Sequence, residues 1–420
     1  MTLAPVRPEA LAEPTRRVGP AWVVLYVLAN AGMYIPMLVP TTFLMPEQIA
    51  QIDPEGKVDS YAWVSMMGAI SGIVIAPLAG ALCDRTTGRF GRRRPWMIAG
   101  SLVCIAALVY TGVQTTVVGV ALGSLVLSAG FMIIGAGLAP VVPDRVPVAQ
   151  RGVVLGWATV PQAGGMIAGG LLIGLVAGFS AQYALMAAFP LLIVLFAIVL
   201  KDPPLPGSHH EPFSLRTFLD GYRISPREHP DFVWAMVSRF VMGLGYGLGT
   251  LYMPYFLDDV LHYEQLFPGQ STEDGLLIVI GVNCLATIST VVLSCWLSDR
   301  LGRRRMLVFL GGVTMAVAAI PLALSPTWTM TLVAAVILGL GFGVYLAVDT
   351  ALVTEVLPAS ANRGKDMALA NLMTSLPYVL VPPIASVVLG ELGGYRSLFL
   401  CSAAMSVLGA ALVWKVTSVR

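Results

Sequence analysis

Residues 80–94 read GALCDRTTGRFGRRR, and residues 295–305 read CWLSDRLGRRR. Each stretch joins an Asp-Arg pair to a Gly-Arg-Arg-Arg run, and each lies between two long apolar segments. The two copies are about half a chain apart, which is typical of a duplicated membrane bundle whose halves move against one another. The repeat therefore predicts the architecture of a secondary transporter.

The composition agrees with a membrane protein. Of the 420 residues, 57% are hydrophobic and 11% are charged, whereas soluble domains carry about 25% charged residues. The five cysteines lie in or beside apolar runs and form no Cys-x-x-Cys pair, so we expect packing residues rather than disulfides or metal ligands. We expect no cofactor, no metal and no nucleic-acid partner.

The apolar runs predict twelve membrane spans, because a helix needs about 20 apolar residues to cross the hydrocarbon core. The runs are 20–46, 58–83, 95–114, 117–141, 153–177, 182–200, 232–257, 274–298, 305–324, 328–354, 366–390 and 395–415. The predicted fold is an all-α membrane protein with twelve transmembrane helices in two six-helix bundles. The predicted domains are a tail 1–19, a bundle 20–200, a linker 201–231, a bundle 232–415 and a tail 416–420.

The distribution of lysine and arginine predicts the orientation. Of the 25 such residues, all except Lys57, Arg239 and Arg396 fall in the two tails and the even-numbered loops. Positive residues favour the cytoplasmic side, so both termini are expected in the cytoplasm, with the chain in the cell membrane. The first apolar stretch is too long for the core of a cleavable signal peptide, and we interpret it as an uncleaved first span.

A second short pattern supports the duplication. Span four ends in PDRVP, residues 143–147, with Arg151 following, and span ten ends in TEVLP, residues 354–358, with Arg363 following. Two repeats in register, at equivalent ends of equivalent spans, are not expected by chance.

These repeated loops on a six-plus-six plan resemble the major facilitator superfamily over essentially the whole chain. The longer first copy, residues 84–96, resembles the branch of sucrose and glycoside-pentoside-hexuronide cation symporters, and so do residues 349–352 and 363–366. That branch usually carries acids in span two or four, whereas span four here has none and span two has only Asp59 at its outer edge. Sodium coupling is therefore not favoured, and we infer a proton instead.

The resemblance implies two bundles around a central cavity that opens to one side at a time, with a gate formed by the repeated loops. Asp84 would cap a helix of the opposite half near Arg363, and Asp299 would do the same near Arg151, because helix N-termini favour anions. The alternative is that the arginines only anchor the loops at anionic headgroups. The predicted cytoplasmic gate consists of Asp84, Arg85, Gly91, Arg92, Asp144, Arg151, Asp299, Arg300, Gly302, Arg303, Glu355 and Arg363.

Two charges lie well inside predicted spans, where charges are costly and mark functional sites by default. Arg239 in span seven and Asp349 in span ten lie at similar depth, so we expect them to form a pair. The hypothesis is that Asp349 binds the coupling proton or the substrate hydroxyls. The alternatives are a fixed ion pair that locks the second bundle, or an Arg239 side chain that reaches the inner headgroups.

Uncharged polar and aromatic residues within the spans are the predicted substrate-binding residues. Sugars need amide and hydroxyl partners and an aromatic face, although each residue taken singly also fits an interhelical hydrogen bond. Tyr345 and Asp349 share one helical face because they are four residues apart. The predicted substrate-binding residues are Asn30, Tyr34, Gln162, Tyr246, Asn283, Tyr345 and Asn371.

The sequence thus predicts a secondary active transporter that works by alternating access, most simply as a proton-coupled symporter of a sugar or glycoside and functional as a monomer. The alternative is a proton-driven exporter of amphipathic compounds, which the 19 methionines keep open. An intramembrane enzyme would need clustered His, Cys or acidic groups, and a channel would need a charged ring or a carbonyl filter. Neither pattern is present in the sequence.

Overall fold

The computed structural model describes residues 14–15, 17–204, 230–301, 303–356 and 373–417. These residues form helices joined by short turns, and no strand occurs among them. Contacts separate two compact units, Met1–Pro54 with Met67–Ser214 and Glu55–Met66 with Leu215–Arg420. We call them unit 1 and unit 2. The domain boundaries at 200 and 232 stay predictions.

The helices of the first part of the chain follow the predicted spans closely. Proline at the first position starts α1, since its missing N–H needs no partner there, and a π-helical turn at Pro40–Leu44 joins α1 to α2. The helices are α1 (Pro20–Val39), α2 (Met45–Ile52), α3 (Lys57–Asp84), α4 (Arg94–Thr111), α5 (Val117–Leu138), α6 (Val141–Arg145), α7 (Val148–Ile173), α8 (Phe179–Ala188) and α9 (Leu191–Val199).

The second part repeats this plan. Its helices are α10 (Pro230–Thr250), α11 (Met253–Asp259), α12 (Tyr263–Leu266), α13 (Thr272–Leu301), α14 (Arg304–Leu324), α15 (Trp328–Val356), α16 (Pro377–Glu391) and α17 (Gly394–Leu412), followed by a 3₁₀ turn at Val413–Lys415. Close approach of α10 and α17 depends on small residues, because Gly245 lies against Ser406, and Ser402 Oγ donates to the Gly245 carbonyl over 2.7 Å.

Eleven helical segments of the described residues are long and apolar enough to cross a membrane. They correspond to every predicted span except 153–177, where the structure has the 26-residue helix α7. Glycines and Gln162 lower the hydropathy of α7, which explains why it is not among the eleven. Eleven helical segments thus have the length and hydropathy of membrane spans. Charged residues lie within these spans and near their ends.

Candidate functional site

The two intramembrane charges form an ion pair inside unit 2. Arg239 lies in α10 and Asp349 in α15, and the Arg239 Nε and Nη2 atoms both lie 2.6 Å from Asp349 Oδ2. At 1.5 Å per residue, Arg239 is about 14 Å along α10 from Pro230, and Asp349 is about 10 Å before the end of α15. The pairing predicted from the sequence is therefore present in the structure, and the role of the pair stays a prediction.

Burial makes this pair unusual. Asp349 is 6% exposed, and the Arg239 side chain is 11% exposed. Taking two charges out of water is expensive, so each stabilises the other only while both are present and well oriented. Neutralising either partner alone would leave a buried charge without compensation.

Tyr345 completes the site from one turn away on α15. Its hydroxyl lies close enough to interact electrostatically with both Asp349 and Arg239, and the residue is 8% exposed. Both guanidinium contacts go to Asp349 Oδ2, so the Tyr345 hydroxyl adds a second kind of partner to the carboxylate. A hydroxyl exchanges partners easily because it is both a donor and an acceptor.

An aromatic row extends from this site. The Tyr246 ring stacks on Phe342 with centroids 4.2 Å apart, and the Phe342 ring lies 6.2 Å from Tyr345. The row joins α10 to α15 beside the ion pair. It provides ring faces and hydroxyls close to the buried charge, which is the combination that a neutral hydrophilic solute needs.

Of the other predicted substrate-binding residues, Asn30, Tyr34 and Gln162 lie in unit 1 and Asn283 lies in unit 2. Asn30 donates to the Tyr26 carbonyl over 2.8 Å, and Asn283 donates to the Ala335 carbonyl over 3.1 Å, so both amides make helix hydrogen bonds. Tyr34 packs edge-on against Phe131, and Gln162 is exposed on α7. Asn371 lies outside the described residues.

The first copy of the repeated loop forms a second charged site, in unit 1. Arg92 Nη2 and Arg93 Nε both donate to Asp144 Oδ2, over 2.9 and 3.1 Å, and Arg93 Nη1 donates to Asp84 Oδ1 over 2.7 Å. We call these residues, with Asp202, the arginine cluster. The described partner of Asp84 is thus Arg93 of its own unit, while the Arg363 region lies outside the described residues.

Arg93 is the centre of the arginine cluster and is 5% exposed. Burial by itself lowers the pKa of its guanidinium, but the Cys83 thiol and the carboxylates of Asp84 and Asp144 raise the pKa above its ordinary value. Arg93 therefore stays charged at every physiological pH and is a permanent bridge between the end of α3 and α6.

Asp202 is a residue of the arginine cluster that was not predicted from the sequence. Its Oδ2 accepts from the backbone N–H groups of Arg93 and Arg94, over 2.6 and 3.3 Å, and so caps α4. Arg94 in turn donates through Nε to the Ala197 carbonyl over 2.7 Å at the end of α9. The sequence does show an acid, Asp202, two residues after the predicted span 182–200. No local pattern, however, links Asp202 to the loop that contains Arg93, which is 109 residues earlier.

Gly91 is required by this cap. Its φ is +85°, and a Cβ atom there would meet the Asp202 carboxylate and carbonyl. We expect Gly91→Ala to lower the stability of the protein by about 1–3 kcal/mol, the typical cost of such a strained backbone. Thermal unfolding of the purified protein in detergent measures this. Gly88→Ala is the matched control, because no atom lies within 4 Å of the Cβ position there. Equal midpoints for the two variants would contradict the prediction.

The remaining predicted gate residues make other contacts or cannot be described in full. Arg85 donates to the Ala81 carbonyl, Arg151 donates to the Val146 and Pro143 carbonyls, and Arg303 is exposed at the start of α14. Asp299 and Arg300 lie on α13 and Glu355 lies on α15. Gly302 and Arg363 lie outside the described residues.

A third charged group, which lies in unit 2, was not predicted from the sequence. Lys57 Nζ lies 2.8 Å from Asp258 Oδ2 and 2.6 Å from Asp259 Oδ1, and the Tyr395 hydroxyl donates to Asp259 Oδ2 over 2.7 Å. Lys57 also lies over the Tyr255 ring, 5.2 Å from its centroid. These contacts hold the first turn of α3 against α11 and α17. The sequence shows Lys57 and Asp258 as separate loop charges, and their pairing across 201 residues has no local signal.

Within the described ranges, no three His, Cys, Asp or Glu side chains cluster in a way that would hold a metal ion. The charged sites are instead hydrogen-bonded ion pairs inside a set of membrane-crossing helices. Buried ion pairs among membrane-crossing helices are typical of a membrane transporter.

The comparison with protein families identifies the class more closely. The family model described as Major Facilitator Superfamily matches residues 22–282 and 269–420. The chain therefore belongs to the Major Facilitator Superfamily, and it is a multi-pass membrane transporter and not an enzyme.

Solved structures share the fold. A mutant of the nucleoside transporter NupG superposes with a TM-score of 0.74 at 14% identity, covering 94% of this chain and 100% of that one. NupG without the substitution gives a TM-score of 0.70 at 14% identity, covering 95% and 98%. These likenesses confirm the all-α membrane fold class.

Curated relatives are similar over short segments. The General alpha-glucoside permease of Schizosaccharomyces pombe is 43% identical over 53 residues, which are 13% of this chain and 9% of the permease. The sucrose transport protein SUC4 of Arabidopsis thaliana is 36% identical over 55 residues, which are 12% of this chain and 11% of that protein. The chain thus spans about a tenth of the length of the curated relatives that it matches.

Proposed function

We propose that this protein is a proton-coupled symporter of a neutral sugar or glycoside. The observation that carries the proposal is the buried Arg239–Asp349 pair with Tyr345 in contact with both groups. The pair is neutral as a whole, so it suits a solute without net charge. The names of the partial relatives, an alpha-glucoside permease and sucrose transport proteins, support a glycoside as the solute.

In the proposed cycle, Asp349 is the group that gains and loses the coupling proton. When Asp349 is ionised, Arg239 neutralises it. When a proton binds Asp349, the guanidinium loses its anionic partner, and its N–H groups become available to donate to the hydroxyl oxygens of the solute. Proton binding and solute binding are thereby linked. Protonation of Asp349 frees the guanidinium that the solute contacts, and a bound solute replaces the partner that the guanidinium loses on protonation. The Tyr246 and Phe342 rings supply the apolar face of the site.

The protein is proposed to act in the cell membrane, with both termini in the cytoplasm, and to be functional as a monomer. The two bundles alternate access to the two sides. The arginine cluster of unit 1 belongs to the proposed cytoplasmic gate, and the Lys57 contacts lie at the opposite end of α3.

Transport into liposomes tests the proposal. The purified protein is reconstituted, a pH difference with an alkaline interior is imposed, and the uptake of radiolabelled sucrose, maltose and the lipophilic cation tetraphenylphosphonium is measured. We expect accumulation of at least one sugar that collapses with a protonophore. Proton-dependent movement of the lipophilic cation without sugar uptake would instead establish the exporter and overturn the proposal.

A further inference from the structure

The middle of α7, in unit 1, buries one narrow strip of its surface against α1. Gly165 lies on this strip, where an added Cβ atom would come 2.8 Å from Ile35 Cγ1, and Gly169 meets Val39 one turn later. Because both contacts advance by four residues together, α1 and α7 run side by side in the same direction. The buried residues described in this part of α7 are Val154, Ala158, Pro161, Gly165 and Gly169.

Two different surfaces flank the buried strip. One flank carries Trp157 and Val160, which are 58% and 51% exposed, as expected of a side that faces lipid. Gln162 is exposed on the other flank, about 140° around the helix from Trp157 at about 100° per residue. Its amide has no hydrogen-bond partner among the residues that the structure describes. An unpartnered amide in hydrocarbon is costly, so we infer that this flank faces a polar compartment.

Tyr34 of α1 lies at the same level as Gln162. At 1.5 Å per residue, each of them is about 21 Å from the start of its own helix. The Tyr34 ring packs edge-on against Phe131 of α5, with centroids 5.8 Å apart, which holds the ring in place. Within the described ranges, the Tyr34 hydroxyl has no hydrogen-bond partner. The Asn30 amide, one turn earlier, already donates to the Tyr26 carbonyl.

We propose that the Gln162 amide and the Tyr34 hydroxyl form a second solute-binding subsite, in unit 1, which binds neighbouring hydroxyl groups of a sugar. This inference rests on the proposed function, because it takes the solute to be a sugar or glycoside. A glutamine amide presents N–H donors and a carbonyl acceptor side by side, and a tyrosine hydroxyl both donates and accepts. Sugar hydroxyls also do both, so the subsite satisfies a neutral solute without any charge.

Equilibrium binding of radiolabelled sucrose and maltose to the purified protein in detergent tests the subsite. Gln162→Leu and Tyr34→Phe should each bind the sugar that the wild type prefers about tenfold more weakly, the effect of one lost hydrogen bond. Their thermal unfolding midpoints should stay unchanged, because neither polar group has a described protein partner to lose. Gln51→Leu is the matched control, since the exposed Gln51 amide donates to Glu47 within α2, and it should bind sugar like the wild type.

Transport by the same variants separates binding from coupling. The subsite carries no coupling proton in this proposal. In liposomes at saturating sugar, Gln162→Leu and Tyr34→Phe should therefore accumulate solute to the wild-type ratio, while half-saturation requires about tenfold more sugar.

Thiol labelling gives a measurement that does not depend on sugar affinity. In freeze-thawed membrane vesicles, a membrane-impermeant methanethiosulfonate carrying a sulfonate group should label Gln162→Cys above the wild-type background, and the bound sugar should slow this labelling. Trp157→Cys is the control on the lipid-facing flank and should stay at the background.

The possible failures are distinguishable. Equal sugar affinity of the wild type and both binding variants, or equal labelling of Gln162→Cys and Trp157→Cys, overturns the subsite alone. A wild type that binds neither sugar overturns the proposed function together with the subsite. Weakened sugar binding by the variants, in a protein that shows no proton-driven accumulation, supports the subsite and overturns only the coupling.

Discussion

Asp349→Asn is expected to abolish proton-driven accumulation while leaving the exchange of solute across the membrane intact. Asparagine keeps the size of the side chain but cannot take up a proton in this range, so the solute would move without the coupling ion. For one proton per solute, a pH difference of one unit supports about tenfold accumulation, since each unit is worth about 1.4 kcal/mol. For the Asp349→Asn variant, the ratio of internal to external solute concentration should stay at about one.

Two measurements on reconstituted liposomes separate these effects. Uptake under an imposed pH difference reports accumulation, and counterflow with equal pH on both sides reports exchange. Glu391→Gln is the matched control, because Glu391 is an exposed acid at the end of α16, and it should accumulate solute like the wild type. Full accumulation by Asp349→Asn would show that Asp349 is not the coupling group.

Arg239→Gln should lower the free energy of unfolding more than Gly91→Ala does. It leaves the Asp349 carboxylate, 6% exposed, without its cation. Breaking a buried ion pair from one side typically costs about 3–5 kcal/mol, mostly because a buried charge stays behind. The thermal unfolding midpoint in detergent and the fraction that elutes as a single species in size-exclusion chromatography measure the effect.

The double variant Arg239→Gln/Asp349→Asn is the decisive control for Arg239→Gln. It replaces both charges with amides of similar shape, so no unpaired charge remains, and most of the stability should return. Coupling should not return, because the proton-binding group is absent. If Arg239→Gln alone is as stable as the wild type, the two side chains do not compensate each other in the membrane-embedded protein.

The two variants also distinguish the two readings of the pair. A purely structural pair predicts that the double variant transports and couples normally once its stability has recovered. A coupling pair predicts recovered stability together with lost accumulation. The same protein preparation therefore answers both questions.

The sequence determined the class of this protein because the relevant signals are local. Hydropathy over about 20 residues marks a span, and eleven helical segments of the described residues coincide with predicted spans. The repeated Asp-Arg and Gly-Arg-Arg-Arg loops identified the duplication and the superfamily. Arg239 and Asp349 stood out because charged residues rarely lie within apolar runs.

The sequence predicted that Arg239 and Asp349 pair, but only the tertiary structure determined which charges at the ends of the spans meet. Asp202 caps α4 across 109 residues, and Lys57 contacts Asp259 across 202 residues. It also showed that the amides of Asn30 and Asn283 make helix hydrogen bonds. Hydropathy and spacing describe one helix at a time, whereas the partner of a buried polar group depends on which helices pack together and in what register. The packing of the helices determines this partner, because a charged group loses its water and needs a specific partner only when it is buried between packed helices.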